Sequence, residues 1–326
     1  MEEQVIKSKV VGVDISNERT TYAVVDIRGN ILSEGTFETN AYPDVNDFVT
    51  KLCECLLTMI EENGGYEAIR SIGISCPSVS AQTGCIENAA NLPWKGVVPL
   101  AAMLRDRLGM AVGLANDARI SALGEKAYGS AHGMKNFIVV NIGVGVGSCF
   151  FSDGHEHVGA MGFAGEIGHT TVCVGGRKCG CGKQGCLEAY AGAKGIVQTA
   201  QELMAESSEP SLMRDIERLT PRLITVCCEK GDKLAIEVYR KTGRILGWCL
   251  ANYASLVNPE AIILAGGISR AGHWLFDPIK EVFEQEVFLN MRGRIKLFRS
   301  NLDDHERDVL GASALAWDVP EYSLFK

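Results

Sequence analysis

Apolar positions in this chain fall into short continuous runs and into longer stretches with helical spacing. The runs 10–13, 69–76, 137–142 and 261–265 predict buried strands. After Asp44, apolar residues recur at three- and four-residue steps, which predicts a helix that Asp44 caps and Gly64-Gly65 closes. This alternation of strands and helices predicts a largely α/β fold with ligands in the crevice between its units.

The same pattern predicts most of the remaining elements. Helices are expected at 98–108, 117–128, 187–204, 212–229, 232–257 and 306–317, and one more begins near Arg270. A meander of strands opens the chain, and a second one recurs about 125–130 residues later, which suggests a duplicated α/β architecture. Residues 162–188 are rich in glycine and cysteine and are expected to form an ordered loop.

Composition narrows the class of protein. The 326 residues suggest two domains, and 46% hydrophobic with 22% charged residues is typical of a globular protein. The net charge of −8 argues against a nucleic-acid partner. We see no apolar run long enough for a membrane helix and no secretion signal, so a cytoplasmic protein with reduced cysteines is expected.

The strongest chemical signal is the spacing His169-x9-Cys179-x-Cys181-x4-Cys186. Three thiolates and one imidazole within so short a segment match a tetrahedral Zn²⁺ site, and the intervening glycines let the sulfur atoms converge. Four protein ligands close the site, so the zinc is expected to be structural. The alternative is a set of free cysteines.

Acidic residues flank this metal motif. Glu166 precedes His169 by three residues and Glu188 follows Cys186 by two, so a zinc-braced loop would hold both carboxylates toward a polyhydroxylated ligand. The alternative is a solvated surface pair.

Asn116-Asp117 follows an apolar strand and opens a predicted helix. Asp117 there could take a proton from a hydroxyl nucleophile, and the alternative is simple N-capping. Asn91 and Trp94 offer an amide and an indole in one loop, a combination that suits a sugar. The glycine turns 143–147 and 266–267 could bind phosphate through backbone N–H groups, although neither matches a full nucleotide motif.

Together these segments resemble the ROK (repressor, open reading frame, kinase) family of sugar kinases and sugar-responsive regulators. The resemblance rests on Asn91–Trp94, Asn116–Glu125, Gly165–His169, Cys179–Glu188 and Ala265–Ser269. It implies a two-lobed, actin-like and ribonuclease-H-like fold with a structural zinc loop. The expected lobes are 1–115, joined by a C-terminal helix at 306–326, and 116–305.

The resemblance also implies an activity, an ATP-dependent phosphorylation of glucose, mannose or an N-acetylhexosamine at the C6 hydroxyl. Asp117 would be the general base, and MgATP the donor. Sugar contacts would come from Asn91, Asn116, Glu166, His169 and Glu188, and nucleotide contacts from Asp14, Gly143, Gly145, Gly147, Gly266 and Gly267. By the same analogy the protein is a homodimer or homotetramer.

The chain departs from this family where phosphate is expected to bind. The first loop should be Asp-x-Gly-Gly-Thr, but here it is Asp14-Ile15-Ser16-Asn17-Glu18, and Val144 replaces a threonine in the second loop. The charge of Glu18 could oppose a phosphate oxygen by at most about 4 kcal/mol at 4 Å and an effective dielectric near 20. A non-catalytic sugar sensor is therefore the alternative to a kinase.

Overall fold

The computed structural model describes residues 7–80, 83–89, 92–303 and 306–320. These residues form two compact units. Unit 1 contains the described residues up to His132 and those from Asn301 onward, and unit 2 runs from Gly133 to Ser300. Unit 1 therefore continues past residue 115, where the sequence suggested a boundary.

Unit 1 opens with a meander that continues into parallel strands. Its elements before unit 2 are β1 Lys9–Ile15, β2 Arg19–Asp26, β3 Ile31–Glu38, α1 Val45–Glu62, β4 Ile69–Ser75, β5 Val79–Ser80, β6 Cys85–Glu87, β7 Val97–Val98, α2 Leu100–Leu108, β8 Val112–Ala115 and α3 Asp117–Ala127. The main sheet has the order β3-β2-β1-β4-β8. Strands β1, β4 and β8 are parallel, so their carboxyl ends share one edge of the sheet.

Unit 2 has a sheet of the same plan. Its elements are β9 Phe137–Ile142, β10 Val146–Ser152, β11 His155–Glu156, α4 Glu188–Ala191, α5 Ala193–Glu206, α6 Pro221–Glu229, α7 Lys233–Val257, β12 Ala261–Ala265, α8 His273–Glu286 and β13 Lys296–Arg299. The order is β11-β10-β9-β12-β13, with β9, β12 and β13 parallel. Each unit thus combines an antiparallel meander with two further parallel strands, in agreement with the duplication that the sequence suggested.

The chain then returns to unit 1 through α9 Arg307–Asp318. This helix lies against β1 and β4 on the face of the sheet opposite to α1 and α2. This close contact is possible because glycine has no side chain. A Cβ atom at Gly12 would lie 2.3 Å from the Val309 carbonyl oxygen, and a Cβ atom at Gly73 would lie 2.0 Å from the Ala312 carbonyl oxygen. Helix α3 packs against α9 from the side, which keeps α3 in unit 1.

Two predicted helices are interrupted. Gly192 separates α4 from α5, with an extended backbone that ends the first helix. In place of one helix over 212–229, a short 3₁₀ turn is followed by α6, which begins at Pro221 with the Thr220 side chain accepting the Leu223 N–H at 3.2 Å. Proline suits the first turn of a helix but cannot continue one, which explains the break.

Among the described residues, no helix is both long enough and apolar enough to cross a bilayer. The small sheet of β5, β6 and β7 was not predicted, because strands of two or three residues leave no periodicity to detect.

Candidate active site and metal centre

In unit 1, polar residues gather at the shared carboxyl edge of β1, β4 and β8. Asp14 and Ser75 are register partners on adjacent strands, and Ser75 in turn pairs with Ala115, two residues before Asp117. The Ser75 side chain hydrogen-bonds to the Asp14 carboxyl group. The carboxyl ends of parallel strands are the usual place for ligands in α/β proteins, so this edge is a candidate catalytic site.

Asp117 stands at the first position of α3, but it is not the residue that caps the helix. The Asn116 side chain accepts the Arg119 N–H at 3.0 Å, which satisfies the helix end. The carboxylate of Asp117 is therefore not used for capping. Although Asp117 is exposed, protein surrounds its carboxyl group closely enough that partial desolvation, followed by repulsion from Asp308, raises its pKa.

Asp14 is the most strongly perturbed acid at this edge. Burial, then repulsion from the Asp308 carboxylate, raises the pKa of Asp14 to about 7, and Asp117 adds a smaller repulsion. The Ser75 hydrogen bond and the charge of Arg307 act in the opposite direction. The edge thus holds three carboxyl groups with one arginine close by.

Sequence reasoning missed Ser75, Arg307 and Asp308. Ser75 could have been noticed, since Gly73-x-Ser75 repeats the Gly12-x-Asp14 pattern of a small residue followed by a polar one on the same strand face. Nothing in the local sequence connects Arg307 and Asp308 with Asp14, because the contact depends on where α9 packs.

The first loop is a tight hairpin turn in the structure. Ser16 donates its N–H to the Arg19 carbonyl oxygen at 2.9 Å, and Arg19 donates its N–H to the Ser16 hydroxyl at 3.2 Å. Two of the four amide groups of the turn are thus hydrogen-bonded within it. Glu18 is exposed.

In unit 2, the four residues of the predicted zinc motif converge. The ligand atoms of His169, Cys179, Cys181 and Cys186 all lie within 4.8 Å of one another. The sulfur atoms of Cys181 and Cys186 are 3.7 Å apart, and His169 Nδ1 is 3.8 Å from Cys179 Sγ. In a tetrahedral site with Zn–S bonds of ~2.3 Å, two sulfurs are ~3.8 Å apart, so the donor set fits zinc.

The thiols of this cluster oppose one another's ionisation. Burial and the adjacent thiols of Cys181 and Cys179 raise the pKa of Cys186 to about 12. A divalent cation would reverse this effect, because it stabilises thiolates that otherwise repel each other. His169 presents Nδ1 to the cluster, which leaves Nε2 for a second partner.

The two acids near this loop have different surroundings. Glu166 is exposed at the start of a 3₁₀ turn that contains His169. Glu188 is partly buried, and its Oε2 accepts the Val146 N–H at 3.1 Å. It reaches that N–H because Gly145 has no side chain, since a Cβ there would lie 2.3 Å from Oε2. Glu188 therefore links the zinc loop to the second glycine turn.

The glycine turns 143–147 and 266–267 lie at one edge of the unit 2 sheet. Strands β9 and β12 run parallel, with Ala265 opposite Asn141, so both turns follow the carboxyl ends of neighbouring strands. Val144 is 76% exposed at the tip of the first turn, where its side chain offers no hydroxyl. The structure therefore places the two turns next to each other.

Of the expected sugar-contacting pair Asn91 and Trp94, the described residues include only Trp94. Asn91 lies outside the described residues. Trp94 is only 4% exposed, packs on Phe48 with ring centroids 4.4 Å apart, and donates its indole N–H to the Tyr42 carbonyl oxygen at 3.1 Å. The indole is part of the unit 1 core, and its donor is already used, so the interpretation of Trp94 as a sugar contact is wrong.

Comparison with known proteins points to one family. The family model "ROK family" matches residues 10–319. A glucokinase of Halalkalibacterium halodurans is 35% identical over 84% of each chain, and a xylose repressor of Caldicellulosiruptor bescii is 28% identical over 96% of this chain and 80% of its own.

The chain is also similar to a solved structure. The ROK family glucokinase of Streptomyces griseus, in complex with glucose and AMPPNP, superposes with a TM-score of 0.78 at 29% identity, covering 95% of this chain and 99% of its own. The expected actin-like α/β fold is thereby confirmed. Since the family model spans nearly the whole chain, the protein belongs to the ROK family.

Proposed function

We propose that the protein transfers the γ-phosphoryl group of MgATP to the C6 hydroxyl of a hexose, with Asp117 as the general base. Glucose, mannose and N-acetylhexosamines are the candidate acceptors. The main observation behind this proposal lies at the start of α3. There the Asn116 side chain caps the helix, so the Asp117 carboxylate is not needed for capping and can accept a proton. The likeness to glucokinases supports it.

In the proposed mechanism, Asp117 accepts the proton of the sugar hydroxyl as its oxygen attacks the γ-phosphorus. The bond between that phosphorus and the β–γ bridging oxygen breaks, and ADP leaves with the electron pair. A raised pKa makes the ionised Asp117 a stronger base, and it also means that activity falls as the pH drops through that pKa. Positioning of the two reactants supplies most of the catalysis in such transfers.

The sugar would be held by hydrogen bonds to its hydroxyl groups. We assign hydroxyl contacts to Asn116, Glu166, His169 through Nε2, and Glu188 through its second oxygen. Carboxylates suit vicinal hydroxyls because they accept several hydrogen bonds. Asn91 keeps its proposed role from the family resemblance alone.

The nucleotide would bind against the two glycine turns of unit 2, and the family resemblance assigns a nucleotide contact to Asp14 as well. Backbone N–H groups in such turns are suitable donors to phosphate oxygens. We further propose that His169, Cys179, Cys181 and Cys186 hold one structural Zn²⁺, which would fix the loop that carries Glu166 and Glu188.

A non-catalytic sugar sensor is the second candidate. It is favoured by the first loop, where Ser16 and Arg19 hydrogen-bond to each other and where glycines and threonine are absent. The likeness to a xylose repressor is compatible with this alternative.

One assay separates the two functions. Sugar phosphate formation coupled to ATP consumption is measured across a hexose panel, with Asp117→Ala as the matched variant. We expect turnover in the wild type that falls by at least about 100-fold in the variant, because a general base contributes roughly 10²–10⁴-fold. Calorimetry that finds sugar binding but neither turnover nor ATP binding would establish the sensor.

A further inference from the structure

Helix α9 approaches the candidate catalytic edge with its N-terminal end. The Ser71 hydroxyl donates to the Ala316 carbonyl oxygen at 2.6 Å, and Gly73 touches the Ala312 carbonyl, so the helix runs antiparallel to β4. One turn before Ala312 is Asp308, which therefore lies beside Ser75 at the strand end. The first turn of α9 is thus part of the edge that carries Asp14.

Contacts with β1 and α3 place the same turn from two other directions. Gly12 touches the Val309 carbonyl oxygen, and Asp14 follows Gly12 by two residues, so its side chain points to the α9 face of the sheet. Gly311 meets Ile120, three residues after Asp117. These contacts place the N-terminal half of α9 against β1, β4 and α3, so its first turn lies at the edge that carries Asp14.

This turn carries a buried cation. The Arg307 side chain is 7% exposed, and its Nε lies 3.4 Å from Asp308 Oδ1. Among the described residues, it is the cation whose charge lowers the pKa of Asp14, whereas Asp308 and Asp117 raise it. Among the described residues, the charged and titratable groups that influence one another electrostatically here include Asp14, Asp117, Asp308, Arg307 and the buried thiol of Cys76.

We propose that Arg307 is a positioning residue of the phosphoryl-transfer site, whose guanidinium holds the Asp308 carboxylate and offsets the charge of Asp308 and Asp14 when the anionic phosphates of ATP approach. This inference rests on the proposed function. The chain needs such an offset because its first loop lacks the glycines that let backbone N–H groups turn toward phosphate, and because it adds the charge of Glu18. A guanidinium suits the role since it pairs with two carboxylates in a fixed geometry.

The test is Arg307→Met, assayed with ATP and the best hexose of the panel. We expect the KM for ATP to rise about 10- to 30-fold and kcat to fall, because unbalanced carboxylates repel the donor. The KM for the hexose should stay within about twofold, since an uncharged acceptor does not sense this repulsion. Arg307→Lys keeps the charge but loses the planar guanidinium, so its KM for ATP should lie between those of wild type and Arg307→Met.

Matched variants separate charge from structure. Arg105 and Asp106 form another Arg–Asp neighbour pair in unit 1, 3.0 Å apart and exposed, so Arg105→Met should leave all constants unchanged. The double variant Arg307→Met with Asp308→Asn restores the charge balance and should recover most of the KM for ATP. An Arg307→Met protein whose KM for ATP stays within about twofold of wild type would overturn the inference.

Asp308→Asn supplies a test that does not remove the buried arginine. Asp308 is 33% exposed, so the variant should fold, and with its partner neutralised Arg307 should attract ATP more strongly and lower its KM. An unchanged KM for ATP would contradict the inference. Wild-type protein that transfers no phosphoryl group would instead refute the proposed function. NMR titration of Asp14 in Asp308→Asn would then still decide whether Arg307 and Asp308 set the pKa of Asp14.

Discussion

The Asp117 carboxylate shows how one neighbour changes the meaning of a residue. In the local sequence, N-capping is the commoner interpretation of Asn116-Asp117, and a general base is the alternative. In the structure, Asn116 makes the capping hydrogen bond, so the capping explanation no longer accounts for Asp117. A single contact at 3.0 Å therefore shifts the balance between a structural and a chemical role.

Asp14 should make the stability of the protein depend on pH. Its pKa is about 7 in the folded chain and about 3.9 when unfolded, so the folded state binds more protons across this range. The contribution of Asp14 to the free energy of unfolding is therefore fully present below about pH 4 and is lost as the pH rises through 7. Relative to wild type, the free energy of unfolding of Asp14→Asn should rise by roughly 2–4 kcal/mol as the pH is raised from 4 to 8. Urea unfolding at a series of pH values measures this change.

Asp26 provides the opposite sign as a control. Hydrogen bonds from the Asn30 side chain and nearby backbone lower the pKa of Asp26, so its stabilising effect is lost as the pH falls. Asp26→Asn should lose stability relative to wild type at neutral pH and not at low pH. An Asp14→Asn protein that loses stability toward pH 8 would show that Asp14 is not a strained acid.

The metal cluster also leads to a prediction for single residues. Purified protein should carry about one zinc per chain, and Cys181→Ser should lose it because three ligands hold zinc far less tightly than four. Cys173→Ser is the matched control, since Cys173 lies exposed in the same loop but outside the cluster. Metal analysis by mass spectrometry decides, and wild-type protein that binds sugar without zinc would contradict the proposal.

Among the elements, α9 depends on glycine in the strands beneath it. Gly73→Ala would place a Cβ atom 2.0 Å from the Ala312 carbonyl oxygen, and neither backbone can yield without moving the helix. We expect a loss of roughly 2–4 kcal/mol in the free energy of unfolding, because overpacking between rigid elements forces backbone shifts. Chemical denaturation of the purified variant measures it.

The neighbouring strand contains a matched control. Gly113 is the register partner of Gly73 on β8, and a Cβ atom there would approach a methyl group of Val319 to 2.5 Å and the Leu315 side chain only to 3.6 Å. Because that side chain can rotate, Gly113→Ala should cost clearly less stability than Gly73→Ala. Equal losses would indicate that the close approach of α9 is not what requires glycine.

For the protein as a whole, the two units differ in continuity. Unit 2 is one segment, 133–300, whereas unit 1 is completed by α9 from the end of the chain. Without α9, Val10, Ala23 and Val25 would lose the apolar partners Val309, Leu310 and Ala316. A sheet with one uncovered apolar face is not stable in water.

This difference predicts how fragments behave. Residues 133–300 should fold and bind zinc on their own, while residues 1–132 should fold only when a peptide of 301–326 is added. Circular dichroism and NMR line shapes of the two fragments provide the measurement. Cooperative folding of 1–132 alone would show that α9 is not an integral part of its core.

Local sequence was sufficient for much of the fold and for the metal cluster. Strands such as β9 and β12 are continuous apolar runs, and long helices such as α7 show their period directly. The motif from His169 to Cys186 is encoded within one short segment, so its convergence needs little from the rest of the chain. In each case the deciding interactions are close in sequence.

Contacts between distant segments settled the rest. Trp94 belongs to the core because Phe48 and Tyr42 surround it, and Arg307 and Asp308 reach Asp14 because α9 packs antiparallel to β4. Such contacts depend on which faces of separate elements meet, and hydrophobic period describes only the face within each element. The sequence therefore determines which residue types are available, whereas the packed structure decides which of them meet at the carboxyl edge of the unit 1 sheet.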